Sequence, residues 1–166
     1  MKNVSFRPII SSDEPFLWEM LYLALYVPEG EPPFPREILH EPDIACYVQG
    51  WGRPGDWGLL AHDGERPVGA IWLRQWPGEE KGYGYVNPAI PEFSIALLLK
   101  YRNMGFGTRM IKAVISMAQE QYTGVSLSVV ESSPARQLYE RLRFRKVGQV
   151  KDSLVMLLEL EKHAMG

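Results

Sequence analysis

One stretch constrains this chain more than any other. An apolar run, Ile95-Ala96-Leu97-Leu98-Leu99, leads into Lys100-Tyr101-Arg102-Asn103-Met104-Gly105-Phe106-Gly107, and a helical repeat follows from Thr108. An apolar run, then glycines, then 3.6-residue spacing reads as strand, tight loop and helix. The first N–H groups of a helix have no internal partner, and the helix dipole adds partial positive charge there. A phosphate is the natural guest of such a site. Arg102, at the loop entry, could add charge or hold the loop's shape. The stretch is not a P-loop, because Gly107 is followed by Thr108-Arg109 rather than Lys-Ser or Lys-Thr. Nor is it the dinucleotide fingerprint, since the third glycine is absent. Taken singly, it is either an anion site or a turn that needs glycine for geometry alone.

The 166 residues, 1–166, read as one domain with enough chain to close a core. Eighteen basic residues against twenty acidic ones leave no excess that would call for nucleic acid. The single cysteine, Cys46, rules out a disulfide within the chain and a CxxC zinc cluster. Its neighbours Ala45, Tyr47 and Val48 point to a packing role. His40, His62 and His163 are scattered and imply no metal. The N-terminus lacks the apolar core of a signal peptide, and residues 16–27 are too short for a span of roughly 20 residues. The expectation is a cytoplasmic protein with no membrane partner.

Elements alternate along the chain, which points to an α/β domain (α+β in some schemes). A first strand is expected over 4–10. A helix capped by Ser12 should follow, with Phe16, Leu17, Met20, Leu21 and Ala24 at helical spacing. Residues 28–35 are a proline-rich loop, and 36–49 a helix interrupted at Pro42. Residues 56–61 and 67–76 form a hairpin turning over 62–66, and 77–91 a glycine- and proline-rich loop that could face a substrate. A strand buried on both faces is expected over 93–99. A helix over 107–121, a strand over 125–130, a helix over 134–143 and one or two strands over 147–160 complete the chain.

Beyond the glycine loop comes Ser133-Pro134-Ala135-Arg136-Gln137-Leu138-Tyr139-Glu140-Arg141-Leu142-Arg143-Phe144. Together the two stretches resemble the GNAT (Gcn5-related N-acetyltransferase) family. Its R-x-x-G-x-G/A pyrophosphate loop is followed by an Asn-x-Ala-x-x-Leu-Tyr-x-x-x-Gly-Phe helix. Order, spacing and the intervening helix and strand match over 92–148. Over 4–76 the match rests on element order. Ser133 stands where the family usually has asparagine, Asn103 for a glycine, Thr108 for a small residue, and Arg143 for the glycine before Phe144. Asparagine tolerates left-handed geometry; an arginine at a position needing positive φ is strained.

The resemblance implies a mixed sheet of roughly six to seven strands flanked by about four helices. It implies acetyl-CoA as co-substrate on Arg102, Asn103, Met104, Gly105, Phe106, Gly107, Thr108, Ser133 and Arg136, with backbone amides of Leu97, Leu98 and Leu99 at the thioester. The acceptor is a small-molecule amine or a protein amino group, attacked directly in a ternary complex. Dimers are common in the family, and nothing in this chain fixes one. Tyr139 holds the family's tyrosine position near the sulfur, and its phenol is protonated at pH 7. Glu92 is the candidate general base; its alternative is a solvated residue at a strand end. Tyr83, Tyr85 and Ser94 are lesser candidates. Trp51, Trp57, Trp72, Trp76, Tyr83 and Tyr85 line an acceptor pocket or, as aromatics more often do, fill the core. A non-catalytic acyl-CoA-binding module is the competing reading.

Overall fold

The computed structural model describes residues 2–161. In chain order it contains β1 (Val4–Pro8), α1 (Glu14–Ala24), α2 (Pro42–Ala45), β2 (Trp57–Asp63), β3 (Arg66–Arg74), β4 (Glu92–Leu97), α3 (Phe106–Ala118), β5 (Gly124–Val130), α4 (Ala135–Arg141), β6 (Arg145–Val150) and β7 (Ser153–Glu159). Short 3-10 turns lie at Ser11–Asp13, Arg36–His40 and Leu99–Tyr101. The strands form one sheet in the order β1-β2-β3-β4-β5-β7-β6. Only β4 and β5 run parallel. The mixed sheet and four helices are those expected.

Strand alternation sends successive side chains to opposite faces, and helices cover both. On one face Ile71 and Leu73 of β3 pack under Met110, Ile111, Val114 and Ala118 of α3. On the other, Ala70 and Trp72 pack under Leu17, Met20 and Leu21 of α1. The four α3 residues are almost fully buried. Each of the three larger ones contributes roughly 1.5–3 kcal/mol. The 3.6-residue period of α3 therefore decides which face of the sheet it covers.

Several boundaries differ from the sequence expectations for local reasons. Ser12 does not cap α1. The Asp13 carboxylate takes the Ile10 N–H at 2.8 Å and the Arg7 guanidinium at 2.8 and 2.9 Å, closing a 3-10 turn first. The helix expected over 36–49 splits at Pro42, which starts the one-turn α2 because its ring fits a first helical position. The strand expected to reach residue 99 ends at Leu97, and Leu99 turns outward, 77% exposed. The tail makes two strands, β6 and β7.

Arg143 follows α4 with φ +74°. The Phe144 N–H donates back to Tyr139 O at 3.0 Å, the closure of a left-handed helix cap. A side chain in that region costs roughly 1–2 kcal/mol. Glycine would remove this strain and give back about 0.5–1 kcal/mol in unfolded-chain entropy. Arg143→Gly is expected to raise stability by about 0.5–1 kcal/mol in a urea titration. An unchanged or lower midpoint would show that the cap is unstrained.

Candidate active site

The sheet opens at its centre. β4 and β5 are paired only at Glu92 and Ser126, and from there they diverge. The Leu98 N–H donates to Val68 O on β3 at 2.8 Å. Strand alternation sends the Ala96 N–H the same way and turns those of Ile95 and Leu97 into the gap. Of the three leucine amides expected at a thioester, therefore, only that of Leu97 faces the opening. Leu98 is spent on β3, and Leu99 lies outside the strand. Ile95 joins Leu97, which the sequence could have shown only through the register of β3.

The gap widens into a cleft of about 1050 Å³. Arg102, Asn103, Gly105, Gly107 and Thr108 line one end, and Ser133 and Tyr139 line its α4 wall. Asn103 (φ +61°) and Gly105 (φ +85°) are both left-handed, which folds the loop back onto the first turn of α3. No side chain caps that helix. A Cβ at Gly105 would meet nothing within 4 Å, so glycine serves the positive φ there rather than a close approach. Arg102 Nε donates to Leu97 O at 3.0 Å, and Nη2 to Leu23 O at 3.4 Å. The arginine thus ties loop, β4 and α1 together, which is the shape-holding alternative.

The other expected contacts divide. Ser133 is buried in the cleft wall, and its hydroxyl accepts the Ala135 N–H at 3.2 Å. Arg136 points elsewhere: its guanidinium donates to Glu140 at 2.7 Å on the exposed side of α4, outside the cleft. Met104 is half exposed and Phe106 packs toward the core, so these two offer backbone rather than side chain.

Glu92 sits where β4 and β5 part. It is not the solvated strand end that its sequence position allowed: it is 2% exposed and lines the cleft. Tyr47 Oη donates to Oε2 at 2.7 Å, and Trp76 Nε1 to Oε1 at 3.1 Å. Burial raises its carboxyl to about 7, against the opposing pull of these hydrogen bonds. The loop over 77–91 forms the lid of this pocket. A Cβ at Gly84 would stand 2.7 Å from Glu92 Oε2, and one at Gly82 would stand 2.7 Å from Tyr47 Oη, so both glycines permit close backbone approach. Tyr47 was not among the expected residues. It is 45 positions from Glu92, and no local spacing reveals the pair.

Tyr139 lies between Phe93 and Phe144, with ring centroids 6.1 and 6.0 Å away. It lines the cleft, and burial alone pushes its phenol up to about 12. Among the described residues nothing hydrogen-bonds its hydroxyl. Of the aromatic residues weighed for an acceptor pocket, only Tyr83 lines the cleft; Trp72 and Trp76 are core, and Trp57 stacks on Tyr122. Ser94 also lines the cleft. Cys46 is buried, and burial raises its thiol to about 12, so it supplies no thiolate near neutral pH. His163 lies outside the described residues.

No curated protein matches the chain. Among solved structures, it resembles the ribosomal-protein-S18-alanine N-acetyltransferase of Escherichia coli at 14% identity, covering 99% of this chain and 98% of that one with a TM-score of 0.67. A Salmonella typhimurium protein solved with its cofactor acetyl-CoA is 16% identical over 97% and 96%, with a TM-score of 0.67. A spermidine N-acetyltransferase of Vibrio cholerae, solved with CoA and spermine, is 17% identical over 96% of each chain, with a TM-score of 0.64. At such identities these structures share the fold. The family model of the GNAT acetyltransferases matches residues 17–144, most of the length, and the chain belongs to that family.

Proposed function

We propose that this protein is an acetyl-CoA-dependent N-acetyltransferase that moves an acetyl group to a primary amine by direct attack in a ternary complex. The observation that carries this reading is one cleft with two chemically different ends. An uncapped helix start lies at one end and a buried carboxyl raised to about 7 at the other. The residues fit the co-substrate: α3 offers partnerless N–H groups for phosphates, and Ile95 and Leu97 offer amides along the gap. When bound, acetyl-CoA supplies the acyl group and the thiolate leaving group.

An alkylammonium with a pKa near 10.4 must lose a proton before it can attack. The Glu92 carboxylate takes that proton, directly or through one water. The C–N bond then forms and the C–S bond breaks. The nitrogen's second proton leaves as the amide forms, and the Tyr139 phenol donates to the departing sulfur. The net products are the acetylated amine, free thiol and one proton.

Tyr139→Phe is expected to lower kcat by about 10–100-fold, toward the low end for a general acid because a phenol raised to about 12 is weakly acidic. The dissociation constant for acetyl-CoA should stay within about twofold. An unchanged kcat across the pH range removes Tyr139 from the chemistry. The function itself is tested by calorimetric titration with CoA, ATP and NAD, followed by thiol release from acetyl-CoA with amines present. Preference for CoA with amine-dependent release supports it. Binding without release leaves a non-catalytic acyl-CoA module, and preference for ATP or NAD contradicts both readings.

A further inference from the structure

Beside the anion-binding loop, where Arg102 reaches Leu23 O, one wall of the cleft is apolar. Leu21 and Leu25, Tyr26, Phe34, Ile38 and Ile44 line it; the basic residues of the lining, Arg102, Arg141 and Lys151, come from other segments. The wall is tied down. Tyr22 Oη donates to Phe34 O at 2.5 Å, and Arg36 lies 4.4 Å above the Tyr22 ring while pairing with Glu19 at 2.7 Å. The surrounding segment, residues 14–50, carries seven carboxylates and a single arginine, Arg36, which Glu19 already occupies. Residues 100–119, at the loop end, carry Lys100, Arg102, Arg109 and Lys112 and no acid.

Two further carboxylates flank Tyr83 at the apolar end. Tyr83 Oη donates to Asp43, and Asp152, in the β6–β7 turn, lines the same cleft. Asp43 foremost, and Asp152 at longer range, push the Tyr83 phenol up to about 12. A monocation approaching Glu92 along this route keeps a carboxylate near it. A second ammonium on the same molecule would rest against Leu25, Ile38 and Ile44, none of which can pair with it.

Resting on the acetyltransferase reading above, we infer that the acceptor is a monocationic primary amine on an apolar body, an arylalkylamine or a longer alkylamine. The body lies on the Leu21–Ile44 wall, and the ammonium is guided past Asp43 and Asp152 to Glu92. A polyamine is disfavoured, because its further charges meet that wall.

The test compares kcat/KM at pH 8 for 2-phenylethylamine, hexylamine, ethylamine and spermidine, with acetyl-CoA saturating. The two apolar amines should exceed ethylamine and spermidine by at least about tenfold. Phe34→Ala and Ile38→Ser should each cut the phenylethylamine-to-ethylamine ratio several-fold. Asp152→Asn should raise the KM for phenylethylamine and weaken its increase with salt. Spermidine or ethylamine as the best substrate, or an unchanged ratio in both wall variants, overturns the inference and leaves the acetyltransferase reading standing. No acetylation of any amine, with CoA bound, overturns both.

Discussion

Glu92→Gln is expected to lower kcat/KM for a primary amine by about 10²–10⁴ and to remove the limb of the pH profile near 7. The cause is electrostatic. Taking the carboxyl out of water disfavours its charged form, and the hydrogen bonds from Tyr47, Trp76, the Gly84 backbone and Ser128 offset this only in part. The wild-type rate should therefore climb as pH rises through about 7, where Glu92 ionises, and level off above. A glutamine cannot take the proton at any pH. Stability supplies an independent check. The carboxyl's folded value lies above its ordinary 4.5, so its contribution is fully present below 4.5 and is lost as pH rises through about 7. Urea titrations at pH 5 and pH 8 should show wild type losing up to about 3 kcal/mol more than Glu92→Gln over that interval. Comparing each protein with itself cancels any fixed cost of placing an amide beside Trp76. Equal losses, or an unchanged pH–rate profile, would mean that Glu92 ionises like a solvated acid.

Asp56→Ala is expected to destabilise the fold by about 3–5 kcal/mol, because it strands a buried guanidinium. Arg74 is 1% exposed. Its Nε and Nη2 fork onto Asp56 at 3.1 and 2.9 Å, and Nη1 donates to the carbonyls of Cys46 and Gln49 at 2.7 and 2.8 Å. Asp56 Oδ2 also accepts the N–H groups of Gly52 and Arg53 at 3.0 and 2.9 Å. Every strong group of the pair has a partner, so losing one member exposes the other's full desolvation cost. For a chain of this size the melting temperature should fall by roughly 10 °C or more. Adding Arg74→Met to the variant should recover part of the loss, since no unpaired charge then remains. The effect should reach the site as well. Arg74 and Trp72 hold the carbonyls of residues 46–49 against β3, and this segment delivers Tyr47 to Glu92. A loss below about 1 kcal/mol would show that water reaches the pair.

Legibility in the sequence followed the range of the interactions. The strand, loop and helix around Gly105 rest on local rules, and the structure has all three where the spacing put them, within two or three residues. The left-handed Asn103 and the strained Arg143 were likewise readable, since backbone geometry there depends on neighbours. What could not be read was set at a distance. The 36–49 segment obeys Pro42 and the carbonyl grip of Arg74 rather than its own helical period. Leu98 and Leu99 look like Leu97 in an apolar run, and only pairing with Val68 separates them. Glu92 opens a strand after a proline, and the sequence leaves it open between a general base and a solvated strand end. It is buried because the 77–91 loop folds back through Gly82 and Gly84, with Tyr47 arriving from 45 residues away. Arg136 turns away from the cleft for the opposite reason: its helical partner Glu140, one turn on, holds it.

A single-turnover experiment addresses the central claim most directly. Protein at pH 8 is mixed with less than one equivalent of acetyl-CoA and excess 2-phenylethylamine, and both free CoA thiol and N-acetylated amine are quantified with time. Thiol and acetylated amine should appear together, one for one, with no acetylated protein in between. Thiol released without acetylated amine, or an acetyl group found on the protein first, would contradict direct transfer within this cleft.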